Sequence, residues 1–108
     1  MPRPLHTVIE TEIYLRSAER VMTDAERVAV VDFFANHPQA GDVIPGAGGL
    51  RKVRVPMAGR GKRGGARVIS YFVAARGVYL LLAYAKNDQG NLTPDQSRAL
   101  ARLVETLF

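Results

Sequence analysis

The chain contains no cysteine, and a long central stretch of it contains no acidic residue. The absence of cysteine excludes disulfides, thiol catalysis and thiolate metal ligands, and it is compatible with a reducing compartment. The N-terminal segment lacks the long apolar run of a signal peptide or a membrane helix. We therefore expect a cytoplasmic protein with no membrane partner.

The acidic and basic residues are unevenly distributed along the chain. Between Asp42 and Asp88 there is no Asp or Glu, whereas nine of the fifteen Lys and Arg residues fall in that interval. The interval carries a formal charge of +9 and the rest of the chain −4, which the net charge of +5 conceals. A field of one sign at this density attracts polyanions, so nucleic acid is the first partner to consider. The same field would also attract an acidic protein or an anionic membrane surface.

The 108 residues, 47% of them hydrophobic, suit one domain over residues 1–108 with a modest core. β-Branched residues in rough alternation predict a first strand within residues 6–14, and residues 15–22 are compatible with a short helix. Thr23 and Glu26 have the spacing of a capping box, which predicts a helix that ends near Asn36, before Pro38. Glycine and proline then indicate a loop over residues 41–49.

Three more strands are predicted over residues 50–57, 67–74 and 78–85, with a tight turn around Arg76 between the last two. Thr93 and Gln96 repeat the capping pattern, and the terminal helix that follows has one apolar stripe. The stripe consists of Leu100, Leu103, Val104 and Leu107. In the strand over residues 50–57, side-chain alternation places Val53 and Val55 on one face and Lys52 and Arg54 on the other. One face is predicted to pack and the other to be cationic.

Residues 59–64 match the letters G-x-G-x-x-G, but the next predicted element is a strand rather than the helix of a dinucleotide-binding motif. Lys62 precedes Arg63 rather than Ser or Thr, so a Walker loop is not predicted either. We expect no nucleotide cofactor. Glycines let a backbone approach phosphate closely, and Arg60, Lys62 and Arg63 can follow a polynucleotide strand. A solvated basic loop is the alternative interpretation.

Other residue types give weaker signals. His6 and His37 are far apart in the sequence and predict no metal site, and the basic segment holds no carboxylate pair for acid and base catalysis. Tyrosines in strands more often pack than stack on bases. Tyr84 is the best exception, because Lys86 shares its side-chain parity.

The runs GDVIPGAGGLRKVRV, GRGKRGGARVISYF and YLLLAYAKND resemble the RelE/ParE superfamily of toxins from type II toxin–antitoxin systems, most closely its HigB-like branch. The resemblance spans nearly the whole chain. It implies an α+β, microbial-RNase-like fold, with a mainly antiparallel four-stranded sheet, two N-terminal helices and a C-terminal helix. It also implies an endoribonuclease that cleaves messenger RNA in the ribosomal A site, without a cofactor.

The resemblance implies catalytic roles for Lys52, Arg54 and Arg67, and for Lys86 after the fourth strand. Many RelE-type toxins have arginine at the position of Asn87, and RelE has a C-terminal tyrosine base, whereas no tyrosine follows Tyr84 here. The proton acceptor therefore stays open between Lys52, if its cationic neighbours favour the neutral amine, and a ribosomal or RNA group. The residues expected to contact RNA or the ribosome are Arg51, Arg60, Lys62, Arg63, Tyr84 and Asn87.

The expected partners are the ribosome, messenger RNA and an antitoxin encoded by the adjoining gene. The antitoxin is expected to have a helix-turn-helix domain, through which alone the toxin would meet DNA, and an acidic stretch that covers the basic face. An apolar anchor for it could lie on the terminal helix. Two other functions stay open at this point. They are a gyrase-poisoning toxin of the ParE type and a module that binds RNA or the ribosome without cleavage, because one fold can carry several functions.

Overall fold

The computed structural model describes residues 5–55, 65–86, 89 and 91–107. In chain order, one strand precedes two helices, four strands follow, and a helix comes last. The strands are β1 (Val8–Glu10), β2 (Asp42–Val43), β3 (Arg51–Val55), β4 (Ala66–Val73) and β5 (Gly77–Ala85), and the helices are α1 (Glu12–Glu19), α2 (Asp24–Asn36) and α3 (Pro94–Leu107).

The described strands form one mixed sheet in the order β1-β5-β4-β3-β2, in which only β1 and β5 are parallel. The sheet has five strands, so the prediction of four is wrong. The prediction lacks β2, because the composition of residues 41–49 indicates a loop. Asp42 and Val43 nevertheless pair with Lys52 and Arg51. A strand of two residues is too short for its hydrophobic period to be recognised.

The first strand is shorter than predicted, because Thr11 turns the chain into α1. The Thr11 hydroxyl accepts a hydrogen bond from the Tyr14 amide at 3.2 Å and donates one to the Leu80 carbonyl at 2.7 Å. An N-cap of this kind satisfies an amide that the first helical turn leaves unpaired. Tyr14 is therefore a fully buried helical residue rather than the end of a strand.

The two capping patterns in the sequence are confirmed. The Thr23 hydroxyl accepts from the Glu26 amide at 3.1 Å, and the Glu26 carboxylate accepts from the Thr23 amide at 2.8 Å. Thr93 and Gln96 make the same reciprocal pair at 3.1 and 3.0 Å at the start of α3. In both places the sequence spacing predicted the helix start because the bonds are local.

Helices α1 and α2 cover one face of the sheet. Val53, Val68 and Ala83 lie side by side on β3, β4 and β5, and all three are buried on this face. They belong to the same core cluster as Tyr14 from α1 and Phe34 from α2. We call these three strand residues the core row.

Helix α3 packs on the opposite face. The β4–β5 ladder slips between Ile69 and Ser70, which leaves Leu81 as an extra residue in β5. Leu81 is fully buried in one cluster with Ile69 and with Leu100 of α3. Within the described residues, no helix combines the length and the apolar character needed to cross a membrane.

Candidate functional site

A row of three polar side chains lies one residue along from the core row. Arg54 of β3 pairs with Arg67 of β4, and Arg67 pairs with Tyr84 of β5. Because alternate strand residues point to opposite faces, this row lies on the face that α3 partly covers. Arg54 is exposed, Arg67 is half-buried and Tyr84 is 6% exposed. We call these three residues the site row.

The two arginines of the site row stand directly opposite each other. Residues paired in this way have Cβ atoms about 4.5–5.5 Å apart, and like charges at such positions are destabilising. An anion between or above the two guanidinium groups would turn this repulsion into attraction, and a guanidinium binds two oxygens of one phosphate in its planar fork. The arrangement is therefore suited to holding a phosphate group.

Tyr84 forms the buried end of the site row. Its hydroxyl is buried and has no hydrogen-bond partner among the described residues. Burial raises the pKa of the Tyr84 phenol, and the charge of Arg67 partly opposes that rise. The phenol is therefore protonated at neutral pH and can donate a hydrogen bond. Because its ring lies in the cluster under α3, packing is the role that the structure shows, and contact with RNA stays a prediction.

Lys52 and Lys86 lie on either side of the arginine pair. Lys52 is two residues before Arg54 on the same face of β3, and Lys86 has the parity of Tyr84 in β5. The Lys86 amide donates to the Gly65 carbonyl at 3.1 Å, which continues the β4–β5 ladder by one residue. Lys52, Arg54 and Arg67 therefore share one face of β3 and β4, and Lys86 is the residue that directly follows β5.

The Lys52 ammonium group is held by a residue that the sequence did not single out. Its Nζ atom donates to Oδ1 of Asn91 at 2.9 Å, which joins β3 to the segment before α3. Both residues line a cleft of about 350 Å³. Asp42 is paired with Lys52 across β2 and β3, so the structure brings a carboxylate to this face. Neither Asn91 nor Asp42 carries a local signal, because long-range pairing alone places them here.

Arg51 is the one described member of the predicted set that the structure places elsewhere. By parity it lies on the face opposite to Lys52 and Arg54, and its Nη1 atom donates to the Gly41 carbonyl at 3.2 Å. The bond ties β3 to the turn before β2. Arg60, Lys62, Arg63 and Asn87 lie outside the described residues.

The tyrosines other than Tyr84 and the metal-binding residue types add little to the site. Tyr71 and Tyr79 pair across β4 and β5 and pack in the cluster with α3, which confirms the packing interpretation for both. In the ranges that the structure describes, no group of three His, Asp or Glu side chains is arranged to hold a metal ion.

Comparison with protein families finds a match over nearly the whole chain. A family model described as the RelE toxin of the RelE/RelB toxin–antitoxin system matches residues 8–108. The match includes every strand and helix that the structure describes. It also includes the site row with Lys52 and Lys86. The chain therefore belongs to the RelE toxin family of toxin–antitoxin systems.

Proposed function

We propose that this chain is a ribosome-dependent messenger-RNA endonuclease of the HigB-like branch, which inhibits translation in the cytoplasm until its antitoxin binds. The observation that carries the proposal is the register pairing of Arg54 with Arg67. Two guanidinium groups that the sheet holds opposite each other can bind oxygens of one phosphodiester in their planar forks, and the RNA backbone supplies that phosphodiester.

In the proposed reaction, the 2′-hydroxyl of the RNA attacks the adjacent phosphorus. The bond from phosphorus to the 5′ oxygen breaks, which leaves a cyclic phosphate and a 5′-hydroxyl. Negative charge grows on the phosphoryl oxygens in the transition state, and Arg54 and Arg67 would stabilise it from fixed positions. DNA lacks the attacking hydroxyl and is expected to be inert.

Proton transfer involves the flanking groups. The ammonium group of Lys86 can orient the RNA backbone or donate a proton to the leaving 5′ oxygen, and Lys52 can orient the backbone or take part in proton transfer. The acceptor for the 2′-hydroxyl proton is open between Lys52, a ribosomal or RNA group, and the carboxylate of Asp42 opposite Lys52. A site without a strong base of its own is expected to depend on the ribosome for positioning and proton transfer.

The retained trio of Lys52, Arg54 and Arg67 favours RNA cleavage over gyrase poisoning. Gyrase-poisoning toxins of this fold generally lack such a trio. A module that binds RNA without cutting it would need the cations but not their alignment with one phosphate. The two arginines in register, with Tyr84 beside them, favour the cleaving function.

The test is to induce the chain in cells and map transcript 5′ ends. The proposal predicts growth arrest and new 5′ ends within translated codons, and it predicts none when Arg67→Ala is induced to the same soluble level. Growth arrest with DNA breaks and unchanged transcripts would indicate a gyrase poison. Translation arrest with intact transcripts would indicate a binding module.

A further inference from the structure

The bond between Lys52 and Asn91 links the candidate site to the segment before α3. Nζ of Lys52 donates to Oδ1 of Asn91 at 2.9 Å, and 39 positions separate the two residues in the sequence. Lys52 is half-buried on β3, two residues before Arg54 and on the same face of the sheet. The bond therefore fixes the charged end of a flexible side chain beside the arginine pair.

Asn91 is itself held by the residues around the start of α3. The side-chain amide of Gln89 donates to the Asn91 carbonyl at 3.0 Å and to Oε1 of Gln96 at 2.9 Å. The same Gln96 oxygen accepts from the Thr93 amide at 3.0 Å in the cap of α3. The acceptor for Lys52 is therefore tied to the helix start by a network of hydrogen bonds.

The backbone of Lys52 is fixed by the sheet. Lys52 pairs with Asp42 of β2 on one side and with Ile69 of β4 on the other. A lysine side chain has a flexible four-carbon stem and a large rotamer entropy, so its ammonium group samples many positions unless a partner holds it. The strand sets where this side chain begins, and Asn91 sets where it ends.

An amide is well suited to hold a cation that must act on phosphate. Its oxygen is neutral, so it accepts a hydrogen bond from the ammonium group without cancelling the positive charge. The ammonium group has three N–H donors, of which the bond to Asn91 uses one. Two donors are left for oxygens of an RNA backbone held by Arg54 and Arg67.

We propose that Asn91 is a positioning residue for RNA cleavage, and that its side chain holds the Lys52 ammonium group where that group acts on the RNA backbone. The inference rests on the proposed function, in which Lys52 orients the backbone or takes part in proton transfer. A displacement of about 1 Å in a reacting group can lower a rate about 100-fold, so this bond has more effect on the rate than on stability. If the bond held Lys52 away from RNA, its loss would raise the rate.

The experiment measures messenger cleavage on stalled ribosomes over a range of chain concentrations. Asn91→Ala removes the acceptor and should lower the maximal rate about tenfold, while the half-saturating concentration stays within about threefold, because placement matters most in the transition state. Asn91→Asp keeps an acceptor oxygen at the same reach. It should restore the maximal rate to within about threefold and raise the half-saturating concentration, because its negative charge repels RNA.

Ser97→Ala is the matched control. It removes an oxygen from the lining of the same cleft and leaves the Asn91 acceptor in place. Both kinetic quantities should stay within about threefold of those of the unchanged chain.

A double substitution separates positioning from a direct contact between Asn91 and RNA. If Asn91 acts through Lys52, then Asn91→Ala should have no further effect in a chain that already carries Lys52→Ala. A loss in that background as large as in the unchanged chain would show that Asn91 acts on RNA directly or supports the fold.

NMR of the lysine side chains reports the bond without any cleavage. A hydrogen-bonded ammonium group exchanges its protons with water more slowly than a free one. The nitrogen–hydrogen correlation signal of Lys52 Nζ should therefore be present in the unchanged chain and in Asn91→Asp, and it should be lost in Asn91→Ala.

Three results would overturn the inference. They are a maximal rate of Asn91→Ala equal to or above that of the unchanged chain, an equal loss in Ser97→Ala, and a full further loss in the Lys52→Ala background. If the NMR signal shows the bond and the unchanged chain cuts no messenger, the proposed function is what fails. If the unchanged chain cuts messenger and the rate does not depend on Asn91, this inference alone fails.

Discussion

The core row and the site row occupy neighbouring positions on the same three strands, one residue apart. In the core row, Val53, Val68 and Ala83 are 5%, 0% and 3% exposed and pack against α1 and α2. In the site row, two arginines face each other and lead to a tyrosine whose hydroxyl has no partner among the described residues. The β3–β4 and β4–β5 ladders of backbone hydrogen bonds hold both rows. Neighbouring positions on the same strands therefore supply the core on one face and the candidate site on the other.

The largest effect is expected from a substitution that removes an arginine of the site row. Arg67→Ala removes the central cation and should reduce RNA cleavage about 100- to 1000-fold, as the loss of one fixed donor at a developing charge does elsewhere. Thermal melting should show a folded protein, because no core-row contact is lost. If the variant cleaves at the rate of the unchanged chain at equal soluble concentration, Arg67 has no part in the reaction.

The second prediction concerns the core row, at the residue that follows Arg67 in β4. Val68→Ala removes buried methyl groups from a fully buried site and should lower the free energy of unfolding by about 2 kcal/mol. Cleavage per folded molecule should not change. Chemical denaturation and single-turnover kinetics measure the two quantities, and a loss of cleavage as large as that of Arg67→Ala would mean that the rows are not separable.

The third prediction concerns the stability of the protein at alkaline pH. It compares Tyr14 of α1, which packs in the same cluster as the core row, with Tyr84 of the site row. Burial raises the pKa of Tyr14 and of Tyr84 above the ordinary value of 10.0, and Arg67 opposes the rise only for Tyr84. The folded state then holds each proton more tightly than the unfolded state, so this stability is present below about pH 10 and falls as pH rises further. The slope for Tyr14 should reach at most about 1.4 kcal/mol per pH unit.

Denaturant titrations between neutral and alkaline pH can test this. Tyr14→Phe should remove more of the alkaline slope than Tyr84→Phe. Burial and the charge of Glu10 both raise the Tyr14 pKa and together outweigh the lowering by Arg27, whereas burial alone raises the Tyr84 pKa and Arg67 opposes it. Equal slopes in all three proteins would show that neither phenol is linked to folding.

The smallest effect on stability is expected from a substitution in the site row, and it should stabilise the protein rather than destabilise it. Arg54→Gln removes one of two like charges in register and should raise the free energy of unfolding by about 0.2–1 kcal/mol at low salt. The gain should shrink as salt screens the repulsion, while RNA cleavage falls. A variant that is less stable at low salt would indicate that Arg54 is held by favourable contacts, which would weaken the case for a phosphate site.

Local features of this fold were predictable, and long-range ones were not. Side-chain alternation placed Lys52 and Arg54 on one face, and the capping residues Thr23 and Thr93 placed two helix starts. These signals depend on residues a few positions apart. The pairing of Arg54 with Arg67 depends instead on the register between β3 and β4, which the residues of either strand alone do not specify.

The features that the sequence did not predict depend on long-range pairing. Arg51 lies by alternation on the face opposite to Lys52 and Arg54, where it donates a hydrogen bond to the Gly41 carbonyl, and its contact with RNA or the ribosome stays a prediction. β2 is not predicted from the sequence, because two residues in a glycine-rich stretch are too few to show the alternation of hydrophobic and polar residues that is typical of a strand. Asn91 reaches Lys52 only because α3 folds back onto the sheet, which brings together residues 39 positions apart.

The most direct test of the site row uses translating ribosomes stalled with a defined codon in the A site. The unchanged chain is added to complexes that carry either all-RNA messenger or the same messenger with one 2′-deoxynucleotide at the mapped cleavage position. The account predicts that the all-RNA messenger is cut, that the 2′-deoxy messenger stays intact, and that free transcript survives the same incubation. Cleavage of the 2′-deoxy messenger at the same position would contradict attack by the 2′-hydroxyl on a phosphate held by Arg54 and Arg67.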